Sequence, residues 1–434
     1  MLKFSTASAI ALAIGSAMGA TAQVNVGGNS YYGGATVTPP DGVDYFFRNR
    51  YTAADAHYYE GLDPYPVQIG VFEARPELAV GAASSSNVFF DDTNEVSDII
   101  MTIAPQLSAA TTWSRHRIGF DAILAHEEYL DTSTESATQY GFRGFGQLDI
   151  SSSFAVAGSV GQQNARERRS SIGGTPNAQE RIEFDRTSVE ANALYATQKV
   201  RLRGRVGLDE YDYSDGTNVS GGALDQDFRD YDEMRTGVVA EYAMSRDWSL
   251  RGEVEHIDRD YNTPLTGQVD RDLSGYIVRA GTSFELPVAL RGQVSAELQN
   301  YDPADPTLDD IEEFGVNGNV QWFPTELTTV SGFVRRGVAD AGNAGAANVL
   351  VTSYGAGVDH ELLRTVILSG DVQFENRDFN PTTRQDDQTR FSLGATWKLN
   401  PNIRLRGGYS FITQDSDFDA FDENLLSISV SFFP

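Results

Sequence analysis

The chain has 434 residues, a net charge of −28 with 22% of its residues charged, 24 phenylalanines, 19 tyrosines, four tryptophans and no cysteine. The missing cysteines exclude disulfides, thiolate nucleophiles and cysteine-based metal centres. The acidic balance argues against a nucleic-acid or anionic-surface partner.

The first 22 residues, MLKFSTASAIALAIGSAMGATA, carry Lys3, then an apolar run, then Ala20-Thr21-Ala22. That order predicts a secretory signal peptide cleaved after Ala22, too short in its apolar run to be a membrane anchor. Residues 23–66 mix glycine, proline and tyrosine without periodicity. They are expected to form an irregular leader, either periplasmic or folded into a lumen.

From Arg75 onward the chain alternates. In 199–213, KVRLRGRVGLDEYDY, Arg201, Arg203 and Arg205 take one set of alternate positions and Val200, Leu202, Val206 and Leu208 the other. Only a strand, with a side-chain period of 2, separates these sets onto two faces. The same scheme runs through 116–128, 288–299, 364–377, 388–399, 402–414 and 425–433. Such segments recur about every 20 residues, the spacing of a tilted membrane strand plus a connection.

The connections alternate too. Short ones are expected near 113–116, 150–153, 196–199, 245–247, 286–288, 323–326, 360–363 and 399–402. Long, acidic, glycine-rich ones cover 86–97, 130–138, 166–181, 214–229, 262–270, 302–310, 339–348, 379–386 and 414–423. Eight short turns and nine long loops predict an all-β, antiparallel transmembrane barrel of 18 strands, with 16 the alternative count, over residues 67–434. Trp113, Trp248, Trp322 and Trp397 all flank the short turns, where an interfacial girdle belongs. Lipid then contacts the aliphatic face. The candidate pore-lining residues are Arg117, Arg201, Arg203, Arg205, Arg251, Arg291, Arg404 and Arg406.

Several landmarks recur from a known family. They are Gly70-Val71-Phe72 leading to Pro76-Glu77-Leu78, Ser86-Asn87-Val88-Phe89, Ser97-Asp98 leading to Pro105, and Trp113-Ser114-Arg115. Further on come Trp322-Phe323-Pro324-Thr325-Glu326-Leu327-Thr328 and His360-Glu361-Leu362-Leu363-Arg364. On these the chain resembles the type-2 β-barrel porin family of Gram-negative outer membranes, over about residues 67–434. The resemblance implies an outer-membrane barrel and, through some relatives, a link to exopolysaccharide export. The end departs from the usual pattern: Phe432-Phe433 is followed by Pro434, where barrel chains commonly end on an aromatic.

Inward arginines sit early in strands that leave the short turns, and carboxylates such as 209–212, 258–260 and 309–310 gather toward the other end. Two roles follow: an axial field that biases solutes, or ion pairs that brace the wall. Closing the turn around Thr197–Gln198 would set Glu190 opposite Arg205 and Asn192 opposite Arg203. Asp415, Asp417 and Asp419 copy the start of a calcium loop, but Ala420 and Leu426 replace its glycine and bidentate glutamate. Five histidines fall singly and no HExxH occurs, so neither an enzyme nor a metal or cofactor site is expected. His126 and His256 are expected to be hydrogen-bonded wall residues near outer strand ends. The function expected is a porin-like channel for small ions or saccharides, with a docking barrel of blocked lumen as the alternative. Expected partners are outer-membrane lipid, lipopolysaccharide, and a small polar solute or polysaccharide-export partner.

Overall fold

A computed structural model describes Phe46 and residues 50–262, 270–342, 348–380 and 382–434. The signal-peptide reading of residues 1–22 lies outside the described residues. Eighteen strands run antiparallel in chain order. They are β1 Phe72–Ser85, β2 Asp98–Thr111, β3 Arg117–Tyr129, β4 Ala137–Asp149, β5 Phe154–Arg166 and β6 Glu183–Ala196. Next come β7 Val200–Tyr213, β8 Tyr231–Ala243, β9 Trp248–Tyr261, β10 Leu273–Leu286, β11 Leu290–Pro303 and β12 Ile311–Thr325. The last six are β13 Thr328–Asp340, β14 Asn348–Leu363, β15 Val366–Asn380, β16 Gln385–Asn400, β17 Ile403–Ser416 and β18 Phe421–Phe432.

Each strand pairs with its chain neighbours, and β1 pairs with β18 from Leu78↔Phe432 to Ser85↔Leu425. The sheet is therefore a closed barrel without a free edge, so the ladder pairs the wall's backbone groups with one another around the whole ring. Below the seam a three-residue strand, Val67–Ile69, pairs with Phe72–Ala74 and occupies the edge that β18 does not reach. Among the described residues no helix is long and apolar enough to cross a membrane.

The alternation read in the sequence sorts the faces. Leu202, Val206 and Leu208 are exposed on the outside of β7, as are Val238 on β8, Val254 on β9 and Val278 on β10. The intervening Glu253, Glu255, Ile277 and Arg279 are buried inside. All four tryptophans are exposed at the short-turn end, at the level of a membrane interface.

Two expectations about turns need correction. The connections expected at 323–326 and 360–363 lie at residues 326–327 and 364–365 instead. Both preceding strands run on through β-bulges, between Trp322 and Thr325 and between Glu361 and Leu363. A bulge tolerates Pro324 inside a strand because one residue there is left out of the ladder. The β6–β7 register is also shifted by two: Asn192 faces Arg205, Leu194 faces Arg203, and Glu190 faces Gly207. The turn closes one residue later than expected, with Thr197 N–H donating to Val200 O at 2.8 Å. A shift of two keeps every side chain on its face.

Candidate functional site: the lumen and the segments folded into it

The eight candidate arginines all project from inward-facing wall positions, and the structure distributes them among different partners. Arg205 Nη2 reaches Glu253 at 2.5 Å and Glu255 at 2.9 Å, and Arg251 Nη2 reaches Glu253 at 2.7 Å. Arg291 donates to Gln321 Oε1 at 2.5 Å and to Tyr51 O at 3.0 Å. Arg404 meets Asp63 at 3.1 Å, and Arg406 donates to Ser431 Oγ at 2.8 Å. Arg117 packs over the Phe145 ring at 5.4 Å, and Arg201 over Phe46 at 4.2 Å. Arg203 Nε is buried without a hydrogen-bond partner among the described residues.

The densest interior charge cluster centres on Arg279, which the sequence reading missed. Arg279 Nη1 lies 2.9 Å from Glu253 and 2.5 Å from Glu255, and its Nε lies 3.2 Å from Glu297. Arg205 joins this cluster from two strands away by passing over Gly237 of β8, which sits between Arg205 and Glu255 in the ladder. A Cβ on Gly237 would lie 3.0 Å from Arg205 Nε. A side chain there would crowd Arg205, which would have to shift. In the low-dielectric wall, charges this close hold geometry; a partner left alone there is costly.

A second feature lies inside the long-loop end. Loop 167–182 leaves the wall between β5 and β6 and ends on the far side of the barrel. Ser170 O accepts from Arg377 Nη1 on β15 at 3.1 Å, and Ile172 packs against Ala341, Val349 and Phe379. In an 18-strand ring, β15 is nine strands from β6, so the loop reaches the opposite wall. Its tip touches the loop after β13: a Cβ on Gly342 would lie 2.6 Å from Gly173 Cα, and Gly342 has φ +66°. Only glycine suits that backbone and that approach.

The roots of this strut are buried ion pairs. Arg169 Nη2 meets Glu135 at 2.5 Å, Arg181 meets Glu127 at 3.2 Å, and Arg229 meets Glu167 at 2.5 Å. Arg169 also lies over Phe89 at 5.2 Å, which ties in the first long loop. Burial pushes the Glu167 carboxyl up, against the pull of Arg229, and lowers the Arg168 guanidinium to about 10. Beneath the loop after β7, inward rings form a belt: Tyr211 and Tyr231 stack at 4.6 Å, and Tyr231 and Tyr261 lie 5.4 Å apart.

At the short-turn end, residues 50–66 lie against the inner wall. Ala54 N–H donates to Thr329 Oγ1 at 2.9 Å, and His57 Nδ1 and Tyr59 OH each contact Glu361 at 2.6 Å. Asp63 meets Lys398 Nζ at 2.8 Å. Tyr51 stacks on Phe323 with ring centroids 5.1 Å apart.

The chain also matches a known family. The profile of the family described as "Putative beta-barrel porin 2" matches residues 61–432. The chain belongs to this family. Membership places it in the Gram-negative outer membrane as a porin-like barrel. No curated protein matches it. Among solved structures it is similar to OccK2 (OpdF) of Pseudomonas aeruginosa, at 9% identity and TM-score 0.48, covering 83% of this chain and 98% of that one. It is also similar to OccAB3 of Acinetobacter baumannii, at 11% identity and TM-score 0.47, covering 84% and 100%. Similarity to the FrpB iron transporter of Neisseria meningitidis has 9% identity and TM-score 0.45, and covers 79% of this chain but 62% of that one.

Within this porin-family barrel, the expected axial separation of charge is corrected. Inward arginines also occupy the long-loop half, as Arg186 beside Asp209 at 2.6 Å and Arg259 beside Glu233 at 2.5 Å. Glu210, Asp212, Asp258 and Asp260, read as acidity of the mouth, alternate with inward residues and so stand on the outside of the rim. Strand periodicity puts only every second residue in the lumen. The arginines missed by the sequence reading, Arg169, Arg181 and Arg229, sit in loops without periodicity, where no pattern signals burial.

Three of the five histidines, His126, His256 and His360, fall in wall strands. His126 Nδ1 contacts Thr138 Oγ1 at 2.8 Å, His256 stacks edge-on against Tyr276 at 4.6 Å, and His360 Nδ1 contacts Thr328 Oγ1 at 2.9 Å. Asp419, of the calcium-like triplet, lies 2.7 Å from Arg384. Among the described residues, the carboxylates of Asp215, Asp225 and Asp227 come within 4.8 Å of one another, all exposed. Asp215 and Asp225 already accept backbone amides of their own loop, from Gln226 at 2.8 Å and Asp227 at 3.1 Å.

Proposed function

We propose that this chain is a channel for small polar solutes, ions or saccharides, with its narrowest passage set by loop 167–182. The observation that carries the reading is the loop's anchorage on both walls, through Arg181 and Glu127 of β3 on one side and Ser170 O and Arg377 of β15 on the other. An 18-strand wall encloses a wide space, and a strut across it leaves passages on a molecular scale. Fixed charges act on solutes over about 8–10 Å at physiological salt, so a narrowed lumen feels its wall.

Most of the eight arginines then serve mainly as bracing, because their charge is engaged by neighbours. Lipid meets the aliphatic outer band, and divalent cations would bridge lipopolysaccharide phosphates to the outward carboxylates at the long-loop rim.

Planar-bilayer recording of the wild type and of an I172G/R377A variant tests this. Stepwise conductance is expected from the wild type. The variant, with the strut's far end released, should show larger and noisier steps. A wild type that inserts without conducting would overturn the channel reading, and equal steps from both proteins would overturn the strut as constriction.

A further inference from the structure

Residues 50–66 cover wall charges that the sequence assigns to the pore. Between β10 and β17 the segment stays against the inner face of the short-turn end, and its underside is consumed in contacts there. Arg291 on β11 donates to Tyr51 O at 3.0 Å, and Glu285 on β10 accepts Tyr51 N–H at 3.1 Å. Both oxygens of Glu361 on β14 are used, by His57 and Tyr59, each at 2.6 Å. Asp63 is buried between Lys398 on β16 and Arg404 on β17, at 2.8 and 3.1 Å, and its other oxygen accepts Tyr59 N–H at 2.8 Å. Lys398 Nζ also donates to His57 O at 3.0 Å.

The upper side is different in charge. Asp55, Tyr58, Glu60 and Tyr65 are exposed, with Tyr58 at 61% and Tyr65 at 48%. The wall beneath presents Arg291, Lys398 and Arg404 beside Glu285 and Glu361, all engaged by the strap or by one another; the exposed side of the strap presents two carboxylates and two phenol rings. Fixed charge at a mouth biases ions only from positions that face water, since a buried and paired charge has its field largely cancelled by its partner.

We infer that residues 50–66 are the solute-facing lining of the short-turn mouth between β10 and β17, and that Asp55 and Glu60, rather than Arg291 and Arg404, set its ion preference. The ion-preference part rests on the channel reading above. The strap itself does not, because its seating can be read by protease. Asp63 acts as a positioning residue: it is the buried latch that keeps two cations covered.

The test uses the full chain in planar bilayers and in detergent micelles. Reversal potentials are measured across a salt gradient at low salt and again at molar salt, with limited proteolysis of residues 50–66 in parallel. D55N/E60Q breaks no hydrogen bond or ion pair to the wall among the described residues, and it should lower the cation-to-anion permeability ratio roughly twofold at low salt, with the difference gone at molar salt. D63A should unlatch the strap, lower the same ratio further by uncovering Lys398 and Arg404, and speed cleavage within 50–66. A D55N/E60Q ratio equal to wild type at low salt would overturn the assignment of ion preference. Wild-type cleavage as fast as that of D63A would overturn the strap. If no variant conducts, the channel reading and the ion preference fall together, and the proteolysis comparison still decides the strap.

Discussion

Replacing Arg279 tests whether the interior charges hold the wall together. Arg279 is 4% exposed and bridges three carboxylates. Its loss affects them unequally. Glu253 keeps Arg205 at 2.5 Å and Arg251 at 2.7 Å, and Glu255 keeps Arg205 at 2.9 Å. Among the described residues, Glu297 then keeps the amide of Gln299 at 3.3 Å and no cation. R279M therefore leaves one buried carboxylate without a cation, and orphaning one member of a buried pair costs about 3–5 kcal/mol. Adding E297Q removes that charge, and neutral replacement of a buried pair is close to neutral in stability, so the double variant should return to within about 1 kcal/mol of wild type. Equilibrium unfolding in guanidinium from lipid vesicles, followed by tryptophan fluorescence, measures both. A single variant within about 1 kcal/mol of wild type, or a double variant no better than the single, would refute the bracing argument.

Depth in the membrane gives a second prediction. Val206 is the seventh of the 14 residues of β7, and Leu202 is only the third, near the short turn. V206R should lower stability by ~2–4 kcal/mol and L202R by ~0–1 kcal/mol, in the same vesicle assay, with equal losses counting against the assigned depth. A third concerns pH in the first long loop. Asp91 accepts from Thr93 N at 2.8 Å, Thr93 Oγ1 at 2.8 Å and Asn94 N at 2.9 Å, and the Thr93 amide leads in holding its carboxyl below the usual carboxylate range. A depressed folded value means that its contribution to loop order is complete above about pH 4 and is lost as pH falls through that lower value. An NMR titration of Asp91 with a midpoint at or above the ordinary aspartate value would sink this.

The sequence by itself determined the wall. Alternation in segments such as 199–213 admits only one assignment of faces, because a strand's side-chain period is 2 and lipid tolerates one kind of face. Alternating connection lengths determined the strand count and which end carries short turns. Tryptophans marked the interface. These are local or periodic signals, and they survive errors of register: the β6–β7 pairing moved by two residues without turning one side chain over.

Tertiary structure alone decided what fills the barrel. Nothing in 166–181 announces that Ser170 and Ile172 rest on β15, because that contact joins residues 207 apart and depends on barrel diameter, which no local pattern encodes. Arg404 and Arg291 read as pore-lining from their strand positions, and so they face inward. Yet residues 50–66, aperiodic in sequence, lie over them. Periodicity says which way a side chain points; only the packed fold says whether water or another segment stands in front of it.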